Sequence, residues 1–488
     1  MSPLAVMIQG AGSNVGKSLL VASICRAYTN RGYKVAPFKP QNMSNNSSVT
    51  REGLEIGRAQ SLQAIACKSK PSVHMNPVLL KPESNRRSQI IVQGKVHAIC
   101  DSKDYFKLKP SLMPPVMESF GLLGKTCDMI IAEGAGSPAE INLRKDDIAN
   151  MGFARSSNTP VILIGDIDRG GVIAQMVGTR QVLSKKDRDM IKGFVINKFR
   201  GTTELFEEGY RYIEEQTKWA GLGILPWLEA AGNLPSEDSL SLTSSRSDKQ
   251  GILKVCYLSL DKIANFDDLD PLNNHPEIIV WPVKPGNPLP LDADLVIIPG
   301  SKSTRNDMAF IRKQGWDHDL IAYSRRGGRI LGLCGGYQIL GKLINDPSGI
   351  EGEPGSQPGL ALLDVETSMA DEKHVGVTNA RWRNHAFTAY EIHKGKTSGP
   401  DCSRYFAQTE WEGNWINEGA ISPDGRVQGT YLHGLFTNDS FRSKYLASIR
   451  QGLADYNYGE LVEKTLDDIA HQVETHLDLD RMLGLMKS

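Results

Sequence analysis

The chain has 488 residues, 40% of them hydrophobic and 23% charged, and its 56 basic and 56 acidic residues cancel. That length excludes a single small fold and allows two or three domains, each with its own core, and the charge balance excludes a global field that would draw in nucleic acid or an anionic membrane. Seven cysteines, at 25, 67, 100, 127, 256, 334 and 402, include no CxxC pair, and no apolar run approaches the about eighteen residues of a membrane span, so a soluble cytoplasmic protein is expected.

Short apolar runs at 4–9 and 34–38 flank a segment of helical period at 17–30, which is the pattern of a βαβ unit. Further runs at 127–132, 160–164 and 192–196 suit strands buried on both faces of a parallel sheet. Residues 1–234 therefore read as a doubly wound α/β domain of the P-loop NTPase type. Polar residues crowd 235–250, which reads as an exposed linker. New strand patterns at 252–258, 277–281, 293–298 and 329–333 predict a second doubly wound α/β domain over 251–450. In the last segment, 451–488, Leu461, Leu466, Ile469, Val473, Leu477 and Met482 recur at helical spacing and predict a docked helical tail.

Between the first strand and the first helix lies Gln9-Gly10-Ala11-Gly12-Ser13-Asn14-Val15-Gly16-Lys17-Ser18. A glycine-rich turn at that place, with Gly10, Gly12, Ser13 and Gly16 in it, presents backbone N–H groups and a helix N-terminus to phosphates. The spacing is a variant, because Gly10 lies six residues before Gly16 and Ala11 takes the place of the usual first glycine. Lys17 is then expected to neutralise the β and γ phosphates of ATP, with Ser18 and Glu133 as Mg²⁺ ligands. A plain helix-starting turn and a strand-end carboxylate facing water are the bland alternatives.

In the second half, Gly332-Leu333-Cys334-Gly335-Gly336-Tyr337-Gln338 puts a cysteine on a sharp turn between a strand and a helical stretch. Such a turn exposes a thiol, and the helix start favours its thiolate, so Cys334 is expected to be an ionised nucleophile. Gly335 and Gly300, in Pro299-Gly300-Ser301, are the expected oxyanion donors. The base is His433, in Tyr431-Leu432-His433-Gly434, with His393 as a second candidate.

Several blocks together resemble the cobyric acid synthase family of glutamine-dependent amidases: 36–43, 55–60, 75–82, 133–143, 165–171 and 195–201. The N-terminal half of that family is similar to dethiobiotin synthetase, and its C-terminal half to class I glutamine amidotransferases. The resemblance implies that four carboxylates of adenosylcobyrinic acid a,c-diamide become amides, each at the expense of one glutamine and one ATP, with Cys334 as nucleophile and His433 as base. It implies a small corrinoid substrate and no bound prosthetic group. The substrate's carboxylates would be met by Lys39, Asn42, Lys81, Lys198 and Arg200, with Asp166, Asp168 and Arg169 near the reacting edge. Arg86 and Arg87 read equally well as solvated surface. Class I amidotransferases usually carry a glutamate two residues after the histidine, where this chain has Leu435, and Asn85 and Thr202 stand where the family usually shows aspartates. What orients His433 is therefore open, as are the oligomeric state and the order of amidation. Ammonia must reach an acyl phosphate before water does, which calls for a sheltered passage. The alternatives are a cobyrinic acid a,c-diamide synthase-type amidase and, from another class, a P-loop partitioning or scaffold ATPase.

Overall fold

The computed structural model describes residues 3–82, 87–235, 251–261 and 263–487. Asn85, Arg86 and residues 236–250 of the expected linker lie outside the described residues. The chain forms two compact units: Met1–Ser44, Leu54–Leu234 and Val462–Ser488 make the first, Asn45–Gly53 and Pro235–Leu461 the second.

The apolar runs of the first half become a parallel six-stranded sheet. Its strands are β1 (Leu4–Gly10), β2 (Val35–Phe38), β3 (Met129–Glu133), β4 (Val161–Asp166), β5 (Ile191–Phe199) and β6 (Ala220–Pro226), in the order β6-β5-β4-β1-β3-β2. β3 and β4 are buried at every position, which is why they read as unbroken apolar runs. β2 and β3 lie on one side of β1 and β4 to β6 on the other. The chain thus changes direction at the carboxyl end of β1, the place where open α/β sheets bind ligands. Helix α1 (Lys17–Asn30) leaves from that point and buries Leu20, Val21, Ile24 and Tyr28. A further four-stranded sheet, Gln41–Met43, Val78–Pro82, Arg87–Val92 and Lys95–Asp101, belongs to the same unit and was not foreseen from the sequence.

The tail forms helices Tyr458–His476 and Leu479–Lys487. It is not a separate segment: from Val462 onward it packs as part of the first unit. The Tyr28 hydroxyl donates to the Leu479 carbonyl at 2.8 Å, buried Arg26 pairs with Glu463, and Arg31 holds Glu474 and Asp480 at 2.7 and 2.8 Å.

The second unit contains β7 (Leu253–Leu258), β8 (Ile278–Val283), β9 (Leu295–Ile298), β10 (Ile330–Leu333), β11 (Glu366–Trp382), β12 (His385–Ser398), β13 (Ala420–Ile421), β14 (Val427–Thr430) and β15 (Leu432–His433). One sheet runs β8-β7-β9-β10-β14-β13, parallel except for β13. A second sheet, unannounced by the sequence, is built on the long β11/β12 hairpin and ends on β15. The segment 45–53 joins this unit although it falls early in the chain: the Ser47 N–H donates to Asn265 Oδ1 at 3.1 Å, and the Asn265 N–H to Asn46 Oδ1 at 3.0 Å.

Candidate active site

In the first unit the glycine loop closes over the end of β1. Gly16 has φ 90°, and a Cβ there would lie 2.5 Å from Asn197 Nδ2, so only glycine fits. That amide donates to the Val15 carbonyl at 2.8 Å, and Lys198 Nζ to the Asn14 carbonyl at 2.6 Å, so the end of β5 holds the loop. A Cβ on Gly10 would meet the Gly12 carbonyl at 2.7 Å, which shows how tightly the turn folds back past Ser13. Lys17 Nζ donates to the Gly136 carbonyl at 3.2 Å.

Glu133, at the end of β3, is 1% exposed. It accepts from the Ser18 hydroxyl at 2.8 Å, Lys39 Nζ at 2.7 Å and Gln63 Nε2 at 2.7 Å. Burial alone would raise its pKa, but the Lys39 ammonium and these hydrogen bonds outweigh burial and hold it low. Glu133 is therefore an anion. Two hard oxygens, the Ser18 hydroxyl and the Glu133 carboxylate, lie together at a phosphate loop, and that donor set fits Mg²⁺. Gln63 and Asn197 were missed by sequence reasoning, since neither residue type signals chemistry without its neighbours.

The residues expected to meet substrate divide in two. Asp166, Asp168, Arg169, Lys198 and Arg200 gather at the ends of β4 and β5. Lys198 pairs with Asp166 at 2.8 Å, Arg169 approaches it at 3.7 Å, and Arg200 bonds Asp168 at 2.9 Å while lying 3.8 Å over the Trp227 ring. Lys39, Asn42 and Lys81 are buried instead. Lys39 faces Glu133, Asn42 donates to Gln60 at 3.0 Å, and Lys81, 1% exposed, pairs with Glu55 at 2.9 Å. Arg87 begins its strand at an exposed position.

In the second unit Cys334 ends β10 and caps the short helix Gly335–Leu340 with φ 50° and ψ −105°, a strained conformation for a residue with a side chain. The glycines around it are required: a Cβ on Gly336 would lie 2.0 Å from the Ile298 carbonyl. A Cβ on Gly300 would come 3.1 Å from His433 Cε1 and 3.6 Å from Cys334 Cβ, so the imidazole and the cysteine meet over that glycine. A Cβ on Gly335 would lie 3.1 Å from the Ser301 nitrogen, which sets the backbone of 300–301 beside Gly335. His433, not His393, stands at the thiol; His393 turns to Glu391 at 3.1 Å.

Burial works against the ionisation expected of Cys334 from its place at a helix start. Cys334 is 8% exposed, and burial pushes its pKa up to about 12, against a smaller lowering by the Gly335 N–H. Its Sγ donates to the Ile392 carbonyl at 3.5 Å. Alkylation of Cys334 by iodoacetamide in the resting protein, followed by peptide mass mapping, should be slow at neutral pH and rise about tenfold per pH unit toward pH 11. Fast, pH-independent alkylation near pH 7 would show an ionised thiol instead.

Two family profiles match the chain in the same two halves. A CobQ/CobB/MinD/ParA nucleotide binding domain covers residues 6–242, and a CobB/CobQ-like glutamine amidotransferase domain covers residues 254–441. Cobyric acid synthase of Cereibacter sphaeroides is 55% identical over 485 residues, 99% of this chain and 100% of that protein. Those of Bradyrhizobium diazoefficiens and Paracoccus denitrificans are each 55% identical, over 99% of this chain and 99% and 100% of theirs. The chain belongs to the cobyric acid synthase family. It is an ATP-dependent glutamine amidotransferase built on two α/β units, and among its described residues no helix is long and apolar enough to cross a membrane.

Membership in the cobyric acid synthase family sharpens the question of what holds His433. Where class I amidotransferases usually carry a glutamate, this member has Leu435, 0% exposed and part of the hydrophobic core. Two other carboxylates lie close by: ligand atoms of Asp267, Asp268 and His433 all lie within 4.8 Å of one another. Asp268 accepts from the Gly434 N–H at 3.0 Å and the Phe436 N–H at 2.9 Å, which fixes it to the turn that carries the histidine. Asp267 accepts from the Tyr390 hydroxyl at 2.7 Å, and the Tyr390 ring stacks on His433 at 5.2 Å. These acids were missed because they lie about 165 positions upstream in an unremarkable loop sequence.

Proposed function

We propose that the chain converts the b, d, e and g carboxylates of adenosylcobyrinic acid a,c-diamide to carboxamides, giving adenosylcobyric acid, with one glutamine and one ATP per amide, in the cytoplasm. The observation that carries this reading is the meeting of Cys334 and His433 over Gly300 in one unit, in a chain whose other unit holds Lys17, Ser18 and Glu133 at a phosphate loop.

At the first centre the Cys334 proton passes to His433 as sulfur attacks the glutamine carboxamide. The Gly335 N–H and the backbone at 300–301 face the oxyanion. His433 returns the proton to the departing ammonia, and water then hydrolyses the thioester to glutamate. Because burial disfavours the thiolate, His433 accepts the proton as the carbon–sulfur bond forms, and Asp268, backed by Asp267, stabilises the imidazolium.

At the second centre a substrate carboxylate attacks the γ-phosphoryl group, ADP leaves, and ammonia displaces phosphate from the acyl phosphate. Lys17 and the loop N–H groups of 10–18 disperse charge on the phosphates. Mg²⁺, held by Ser18 and Glu133, would supply further positive charge there. Lys198, Arg169 and Arg200 offer cations to the carboxylate-edged ring, whereas Lys81 is buried against Glu55.

Mass spectrometry of the corrinoid after incubation with ATP and glutamine tests the whole reading. Four successive carboxylate-to-carboxamide changes are expected, and two on a substrate that lacks the a and c amides would point to the diamide synthase alternative. For the positioning role, Asp268→Asn should lower kcat for glutamine by about 10² to 10⁴ with little change in KM and leave ammonium-driven synthesis intact. Loss of the ammonium-driven reaction as well would make Asp268 a residue of the fold alone.

A further inference from the structure

Behind the thiol lies a second cluster that the amide chemistry does not use. His374 on β11 pairs directly with His393 on β12, and Glu391 is two residues before His393, so the three side chains stand together on one face of the hairpin. Glu391 Oε2 is 3.6 Å from His374 Nε2 and 3.1 Å from His393 Nε2, and the ligand atoms of all three lie within 4.8 Å of one another. A tetrahedral centre with bonds of about 2.0–2.1 Å has ligand-to-ligand edges of about 3.3 Å. The two measured edges bracket that value.

The hydrogen bonding of His393 fits a ligating role. Its Nδ1 is 2.8 Å from the Gly395 carbonyl oxygen, which can only accept, so Nδ1 carries the proton. Its Nε2 faces the Glu391 carboxylate oxygen at 3.1 Å. A proton on Nε2 or a metal ion held by both atoms satisfies that contact. A ligating histidine whose other nitrogen donates to a backbone carbonyl is also the usual support of a metal site. The ring is held in place by Tyr431, stacked at 3.8 Å, and His374 lies against Trp411 at 5.4 Å.

We propose that His374, Glu391 and His393 form a binding site for a divalent transition-metal ion of the Zn²⁺ class. Two imidazoles and one carboxylate select a borderline ion over Mg²⁺ or Ca²⁺, which prefer sets of oxygens. Three protein ligands leave one position for water. The site lies against the nucleophile's support, because Ile392, between two of the ligands, gives its carbonyl to the Cys334 thiol.

Untagged full-length protein, freed of metal with a chelator, should take up one equivalent of Zn²⁺ by titration calorimetry, and Co²⁺ in its place should give a spectrum without a thiolate charge-transfer band. His374→Ala and Glu391→Gln should each weaken uptake at least about 100-fold. His374 is 35% exposed at its side chain, so its loss leaves the hairpin packed, and the far-ultraviolet spectrum of H374A should match that of the parent. Three results overturn the site: no uptake at micromolar Zn²⁺, equal uptake by both variants, or a Co²⁺ spectrum dominated by thiolate, which would place the ion on Cys334.

Discussion

Cys334→Ala is expected to abolish glutamine-supported amidation while ammonium-supported amidation continues at the parent rate. Removing a nucleophile that acts as a unit with its base costs glutaminase activity at least about 10⁴-fold, because no other group can form the covalent intermediate. The structure makes the variant clean. Burial favours the neutral form of Cys334, and its Sγ makes one weak bond to the Ile392 carbonyl, so alanine strands no buried ion. Alanine must still adopt φ 50°, as the cysteine does, so no new backbone strain is added. The measurement is a pair of assays on one preparation, glutamate release from glutamine and corrinoid amidation with ammonium at a pH that supplies free ammonia. If glutamate release survives within tenfold, Cys334 is not the nucleophile. If amidation from ammonium collapses too, the two centres are not separable in the way their residence in different units implies.

The parts of this chain that sequence revealed are those where chemistry and local pattern coincide. β1, β3 and β4 are buried on both faces, so their residues had to be apolar in unbroken runs, and the phosphate loop and the cysteine turn announce themselves by glycines that leave no room for a Cβ. Burial of charge is different, because it depends on residues far apart in the chain. Lys81 reads as a surface cation until Glu55 is seen beside it, and Lys39 until it meets Glu133 across 94 positions. Cys334 shows the same divide: the helix start that favours its thiolate is local, whereas the burial that opposes it depends on the fold. The β11/β12 hairpin mixes polar and apolar residues without a clean alternation, so its period did not stand out, and with it the partners of His393 stayed hidden.

The complementary expectation concerns Lys17→Ala, which should stop amidation from both nitrogen donors by at least about 10³-fold while glutamate release persists within a few-fold. Lys17 is the better probe than Glu133. Replacing Glu133 by glutamine would leave the buried Lys39 ammonium without its counter-charge at 2.7 Å, and the loss of stability, several kcal/mol for a broken buried pair, would be mixed with the loss of function. Lys17 donates to the Gly136 carbonyl, and its removal takes a cation from the phosphate site. The expected signature is a falling rate of acyl phosphate formation, read as ADP release dependent on the corrinoid, with thermal stability little changed. Amidation that persists in K17A with either donor would place phosphoryl transfer away from the turn at residues 10–18, and the loop would then be a helix start and nothing more.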